Sequence, residues 1–166
     1  MKKRPILDLQ KNEFDLMLEV LGIIFLLILI VMPAIYYWSL PETIASHFNA
    51  KGEPDGYSGK WVIWLLPLIG TVTYVGLRKL SRIPHTYNYP MKIDRDNAEV
   101  AYRNSSRMMT SMAVIITGAF CYINFAMIRS AKDGFVGLGK LFLPFFFCLL
   151  FGSIFFFTYK TINYKK

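Results

Sequence analysis

Charge is missing from four long stretches of this 166-residue chain: residues 20–38, 61–77, 108–128 and 141–159 contain no Asp, Glu, Lys or Arg. Soluble amphipathic helices carry a polar stripe that recurs every turn, so the gaps exclude an ordinary soluble core. Charged residues make up 18% of the chain, against roughly 25% in a typical soluble domain. Cysteine is nearly absent too. Cys121 and Cys148 both fall inside charge-free stretches, and neither has the paired spacing of a metal knuckle or a disulfide framework. Histidine occurs twice, as His47 and His85. No G-x-S-x-G elbow or glycine-rich phosphate loop appears, so the chain is not expected to be an enzyme and no cofactor is expected.

What is present is apolar residue in span-sized blocks. A helix needs about 20 residues, within a working range of 17–25, to cross the roughly 30 Å hydrocarbon core. Each stretch falls in that range, and none shows the apolar–polar alternation of a barrel strand. The expected fold class is an all-α membrane protein, a single four-span domain over residues 1–166. Its transmembrane helices are expected at about 20–38, 61–77, 108–128 and 141–159. The head before the first span contains Asp8, Glu13, Asp15 and Glu19, and no small-residue cleavage site follows. That pattern reads as an uncleaved span and not as a secretory signal.

Orientation follows from Lys and Arg in the short connecting segments. The head, the segment 78–107 and the tail carry fourteen of them on one face; the other face has Lys51, Lys60, Arg129, Lys132 and Lys140. Both termini are therefore expected in the cytoplasm of a plasma-membrane (inner-membrane) protein, with outer loops at 39–60 and 129–140. The net charge of +8 suits attraction of juxtamembrane bases to anionic lipid. The lipid bilayer is one partner; nucleic acid is not expected, because 30 residues provide no fold around the seven bases of segment 78–107.

Within that segment, 81–90 carries Pro84 and Pro90 and reads as extended or turning. Asp96 with Glu99 has capping-box spacing, and Glu99–Arg103 is an i,i+4 pair. A helix from Asn97 to Ile128 would measure about 48 Å at 1.5 Å per residue, more than the bilayer needs; it reads as a helix merely longer than its membrane, with a protruding stalk that offers a docking surface as the alternative. Inside the spans the polar groups are few. Asn124 is the strongest candidate for a functional contact, with helix–helix bonding as its bland alternative. Gly70, Gly76, Gly118 and Gly152 allow close helix approach. No ionisable residue lies within the spans, which argues against proton-coupled transport.

The outer loop 39–60 is the most informative segment. Pro41 can open a short helix with Ile44, Ala45 and Phe48 on one face, stopped by Asn49 and Gly52. Pro54-Asp55-Gly56 is turn chemistry. Tyr36, Tyr37, Trp38, Trp61 and Trp64 flank the loop as an interfacial aromatic belt, so the loop is expected to be an ordered extracytoplasmic cap.

The spacing L-P-E-x-I-x-x-H-F-N-x-x-G-E-P-D-G-Y, carried by Leu40, Pro41, Ile44, His47, Phe48, Asn49, Gly52, Glu53, Pro54, Asp55, Gly56 and Tyr57, resembles a bacterial membrane domain of uncharacterised function. That domain also forms the N-terminal part of SdpI-type toxin-immunity and signalling proteins. The resemblance covers about 20 loop residues and the flanking spans. It implies a membrane binding or sensing protein whose outer loop meets a peptide, toxin or envelope partner and whose basic inner segment meets a cytosolic regulator. Pro41, His47, Phe48, Asn49, Gly52, Glu53, Pro54, Asp55 and Gly56 are the candidate contact residues. A structural or assembly subunit is the alternative. A third reading, a membrane enzyme with a loop metal on Glu42, His47, Glu53 and Asp55, lacks tight ligand spacing such as H-E-x-x-H.

Overall fold

The computed structural model describes residues 4–134 and 137–164; Lys2, Lys3, Lys165 and Lys166, counted above for orientation, lie outside them. The first helix starts on a local signal. The Asn12 side chain accepts from the Asp15 amide at 3.1 Å, and the Asp15 carboxylate accepts from the Asn12 amide at 3.0 Å. This reciprocal capping box satisfies two backbone donors that a helix start otherwise leaves open. It begins α1 (Glu13–Tyr36) seven residues before the charge-free stretch. Glu13, Asp15 and Glu19 thus belong to the helix that contains the first charge-free stretch.

After one 3-10 turn (Tyr37–Ser39) the chain forms two antiparallel strands, β1 (Thr43–Phe48) and β2 (Pro54–Gly59). A 3-10 turn, Lys60–Trp64, leads into α2 (Leu65–Leu80); α3 (Ala98–Asp133) and α4 (Phe142–Ile162) complete the bundle. With the turn Lys60–Trp64 counted with α2, all four helices are long and apolar enough to cross a membrane. The hairpin corrects the all-α expectation. Pro41 opens no helix, and Pro54-Asp55-Gly56 lies in a strand and not in a turn. An isolated two-stranded hairpin is marginal in water; here Leu40 and Ile44 pack with Val62, Ile63, Met127 and Ile128 in one buried cluster. The hairpin is held by the end of the bundle beneath it.

α3 is the hub, packing against each of the other three helices. Half of its most apolar window is buried, against 6% for that of α4. Small residues on α3, among them Ala101, Ser105, Ser111 and Ala113, are buried where neighbours come close. Glycines on the other helices serve the same end. A Cβ on Gly70 would lie 2.5 Å from Leu29, and one on Gly22 only 2.7 Å from the Tyr74 ring. Gly118 abuts Phe25, whereas Gly76 and Gly152 face open space and mark no close approach.

The start of α3 differs from the expected capping box. Asp94 accepts from the amides of Asp96 (3.0 Å) and Asn97 (3.2 Å), and the helix begins at Ala98. The Glu99–Arg103 pair forms at 3.1 Å, and α3 runs unbroken for 36 residues. Its first turns are no free stalk. Tyr102 is fully buried and donates to the Pro5 carbonyl at 3.1 Å, and Leu9, Tyr89 and Ile93 pack over Ala98, Ala101 and Tyr102. The hairpin thus marks one end of the bundle, and the described parts of both termini mark the other.

Candidate functional site

The hairpin tip is built by Asn49. Its side-chain oxygen accepts from the amides of Lys51 (2.8 Å) and Glu53 (3.0 Å), and its side-chain nitrogen donates to the Glu53 carboxylate at 3.2 Å. Such Asx bonding stands in for a backbone turn. Gly52 follows with φ +77°, a conformation that L side chains rarely adopt. Its carbonyl accepts from the Leu138 amide at 2.7 Å, so the tip docks on the α3–α4 connector. A Cβ on Gly52 would lie 2.7 Å from the Gly139 backbone. Both motif residues are therefore consumed by folding.

The strands are irregular where the histidine sits. Register shifts between Ala45 and His47, and between His47 and Phe48, interrupt the ladder, and bulges of this kind re-aim side chains. His47 faces Gly56 across the hairpin, where a Cβ would come within 2.9 Å of the His47 Cβ. With that space free, His47 Nδ1 meets Asp55 Oδ1 at 2.5 Å. The two side chains are 72% and 42% exposed. Of the other expected contact residues, Phe48 packs partly buried against the cluster under the hairpin, Pro54 pairs with Phe48 in the ladder, and Pro41 and Glu53 are exposed.

The four residues considered for a metal are divided among different partners. Glu42 pairs with Lys60 at 2.9 Å, Glu53 bonds Asn49, and His47 and Asp55 hold each other. Among the described residues no group of three or more His, Cys, Asp and Glu could hold a metal ion. Asn124 is fully buried beneath the hairpin and donates to the Ile63 carbonyl at 3.1 Å, while its side-chain oxygen has no partner among the described residues. It ties α3 to the turn that enters α2.

A second polar constellation, at the opposite end, escaped sequence reasoning. Arg107 grips Asp15 through Nε–Oδ1 at 2.6 Å and Nη2–Oδ2 at 3.2 Å, and Arg103 stands 3.8 Å from the same carboxylate. Glu19 is shared by Arg78 (2.5 Å) and Lys11 (2.9 Å). Arg78 also donates to Thr110 at 2.8 Å. A signal for it existed: Arg78 directly follows one charge-free stretch, Arg107 directly precedes another, and Asp15 and Glu19 are spaced i,i+4 before a third.

Beside this constellation, the connector between α2 and α3 is closed by phenols. Tyr87 donates to the Leu80 carbonyl at 2.6 Å and Tyr89 to the Pro84 carbonyl at 2.9 Å. Burial, with the neighbouring Tyr89 as a lesser cause, pushes Tyr87 up to about 12. Burial also pushes Tyr89 above the usual phenol range. Arg4 caps the segment, bonding the carbonyls of His85 and Tyr87 and standing 5.5 Å above the Tyr89 ring.

An uncharacterized protein of Archaeoglobus fulgidus is 24% identical over 128 residues, which cover 69% of this chain and 70% of the relative. No solved structure matches the chain significantly. Neither finding bears on the SdpI-type part of the resemblance. Residues 24–71, from the middle of α1 through the hairpin into α2, match the family model described as a domain of unknown function, DUF1648.

Proposed function

We propose that the chain is a multi-pass cell-membrane protein of the binding or sensing kind, with both termini in the cytoplasm and the hairpin as an ordered extracytoplasmic platform. The excess of Lys and Arg at the terminal end supports that orientation. One observation carries the binding reading: His47 and Asp55 form an exposed pair on a hairpin whose Asn49 and Glu53 side chains bond each other at the tip. A polar pair held on a rigid platform is preorganised for recognition.

The exposed Asp55 carboxylate and the exposed Tyr57 favour a peptide carrying basic and apolar groups. A toxin peptide belongs to that class, and the SdpI-type resemblance points the same way. The tip's bond to Leu138 and the unbroken α3 support a route by which occupancy outside biases contacts of the terminal end with a cytosolic regulator. The test is a photo-crosslinker at Ser46, beside the pair, in native membranes. The expected result is a discrete peptide or protein adduct that His47→Ala and Asp55→Ala abolish. A crosslinking pattern unchanged by both substitutions contradicts the reading.

A further inference from the structure

At the terminal end, α1, α2 and α3 part around a cavity of about 340 Å³. Five cationic side chains line it, Lys11, Arg78, Arg82, Arg103 and Arg107, against the three carboxylates of Asp8, Asp15 and Glu19. Two of those carboxylates hold four of the cations, Glu19 between Lys11 and Arg78 and Asp15 between Arg103 and Arg107. The Arg82 guanidinium has no hydrogen bond or ion pair among the described residues, and neither has Nη1 of Arg107. The lining is cationic in excess, and donors remain free on guanidinium groups, whose fork geometry matches phosphate oxygens.

Depth supplies the second observation. Arg78 and Arg107 each stand at the first charged position beside a span-length apolar stretch, the level at which a bilayer places its phosphates. Leu18 lines this cavity and also an apolar groove of about 430 Å³ between α1, α3 and α4, lined by Val114, Leu149, Gly152 and Phe156 among others. Arg107 borders both spaces, because its guanidinium stands 5.4 Å over the ring of Phe14, a groove residue. A site for a charged headgroup thus adjoins one shaped for an acyl chain.

We propose that the cavity among α1, α2 and α3 binds a phosphate group, with Arg82 and Arg107 supplying the free donors. The adjoining groove favours an anionic phospholipid headgroup as the source over a soluble phosphate. The site is separate from the hairpin and stands whether or not the hairpin binds a peptide.

The experiment uses the full-length protein in two arms. In the first, native mass spectrometry reads phosphatidylglycerol retained against phosphatidylcholine after mixed-lipid extraction. In the second, thermal unfolding in phosphatidylcholine nanodiscs is followed as inorganic phosphate is added. Arg82→Gln removes an exposed cation that no described partner needs, and Arg129→Gln removes one at the hairpin end. A charge-assisted contact of about 1.5 kcal/mol corresponds to roughly tenfold in affinity. The expected result is preferential phosphatidylglycerol retention that falls about tenfold in Arg82→Gln and is unchanged in Arg129→Gln. Stabilisation by inorganic phosphate that Arg82→Gln removes also supports the site and assigns a soluble source. Absence of both effects, or equal losses in the two variants, overturns the proposal.

Discussion

Asp15 and Arg107 stand 92 residues apart in sequence and are joined by two hydrogen bonds, at 2.6 and 3.2 Å. The same Asp15 carboxylate accepts from the Asn12 amide and so caps α1. One side chain therefore both starts the first helix and fastens it to the third.

These two roles separate on substitution. Asp15→Asn keeps a cap acceptor but leaves Arg107 unpaired in a setting where both side chains are only 16–17% exposed. Breaking such a pair from one side costs about 3 kcal/mol, and Asp15→Ala adds about 1 kcal/mol for the lost cap. Thermal unfolding in one detergent should rank wild type above Asp15→Asn, and Asp15→Asn above Asp15→Ala. Equal stability of wild type and Asp15→Asn would show that the ion pair holds nothing together.

Glycines in the bundle should divide into two classes. Gly70→Ala forces a methyl into Leu29, and overpacking of this kind costs about 1–3 kcal/mol. Gly76→Ala and Gly152→Ala meet nothing within 4 Å, and gain helix propensity of up to about 1 kcal/mol. Melting temperatures of the three single variants check the contrast; a Gly70→Ala protein as stable as Gly152→Ala would refute the packing of α2 on α1.

At the hairpin tip, Gly52→Ala meets both a left-handed backbone and the Gly139 chain. The conformational part alone costs about 1–2 kcal/mol. The tip should undock, and the Leu138 amide, which donates to Gly52 at 2.7 Å, should lose its protection from hydrogen exchange. Gly134→Ala has a comparable φ of +83° but open space around it, and should leave that amide protected.

The tyrosines give the connector an alkaline limit. The Tyr87 phenol ionises at about 12 in the folded chain, raised from 10.0 by burial. Between these values the unfolded chain releases its proton before the folded one does, so the stabilisation present below pH 10.0 is lost as pH rises towards 12. Protease cleavage between α2 and α3 should increase across that window. Tyr87→Phe should flatten the dependence.

The helices were legible because charge is sorted so sharply along the chain: each charge-free stretch lies within a helix except for residues 37–38, 61–64 and 141, which sit at helix ends. α3 was legible even in its excess length, since no breaker stands between Ala98 and the first glycine, Gly118. The hairpin was not. Ile44, Ala45 and Phe48 imitate a helical face, and two adjacent buried residues followed by a bulge hide the alternation that marks a strand. Its stability comes from Val62, Ile63, Met127 and Ile128, which no local pattern connects to it. Asn49, Gly52 and Gly56 were legible as special positions but not in purpose: they shape the hairpin, leaving His47 and Asp55 as its exposed pair. The residues of the Asp15–Arg107 and Glu19–Arg78 pairs were legible only as charges bordering the apolar stretches; the pairing itself was not, because packing alone brings them together.

The central claim is that the hairpin stands outside the cell while the charged cavity faces the cytoplasm. One cysteine introduced at His47 or at Asp8, in a Cys148→Ser background that keeps only the buried Cys121, tests it in intact cells with a membrane-impermeant maleimide. The account predicts labelling at position 47 in intact cells, and at position 8 only after permeabilisation. Labelling of position 8 in intact cells, with position 47 protected until the membrane is opened, would contradict it.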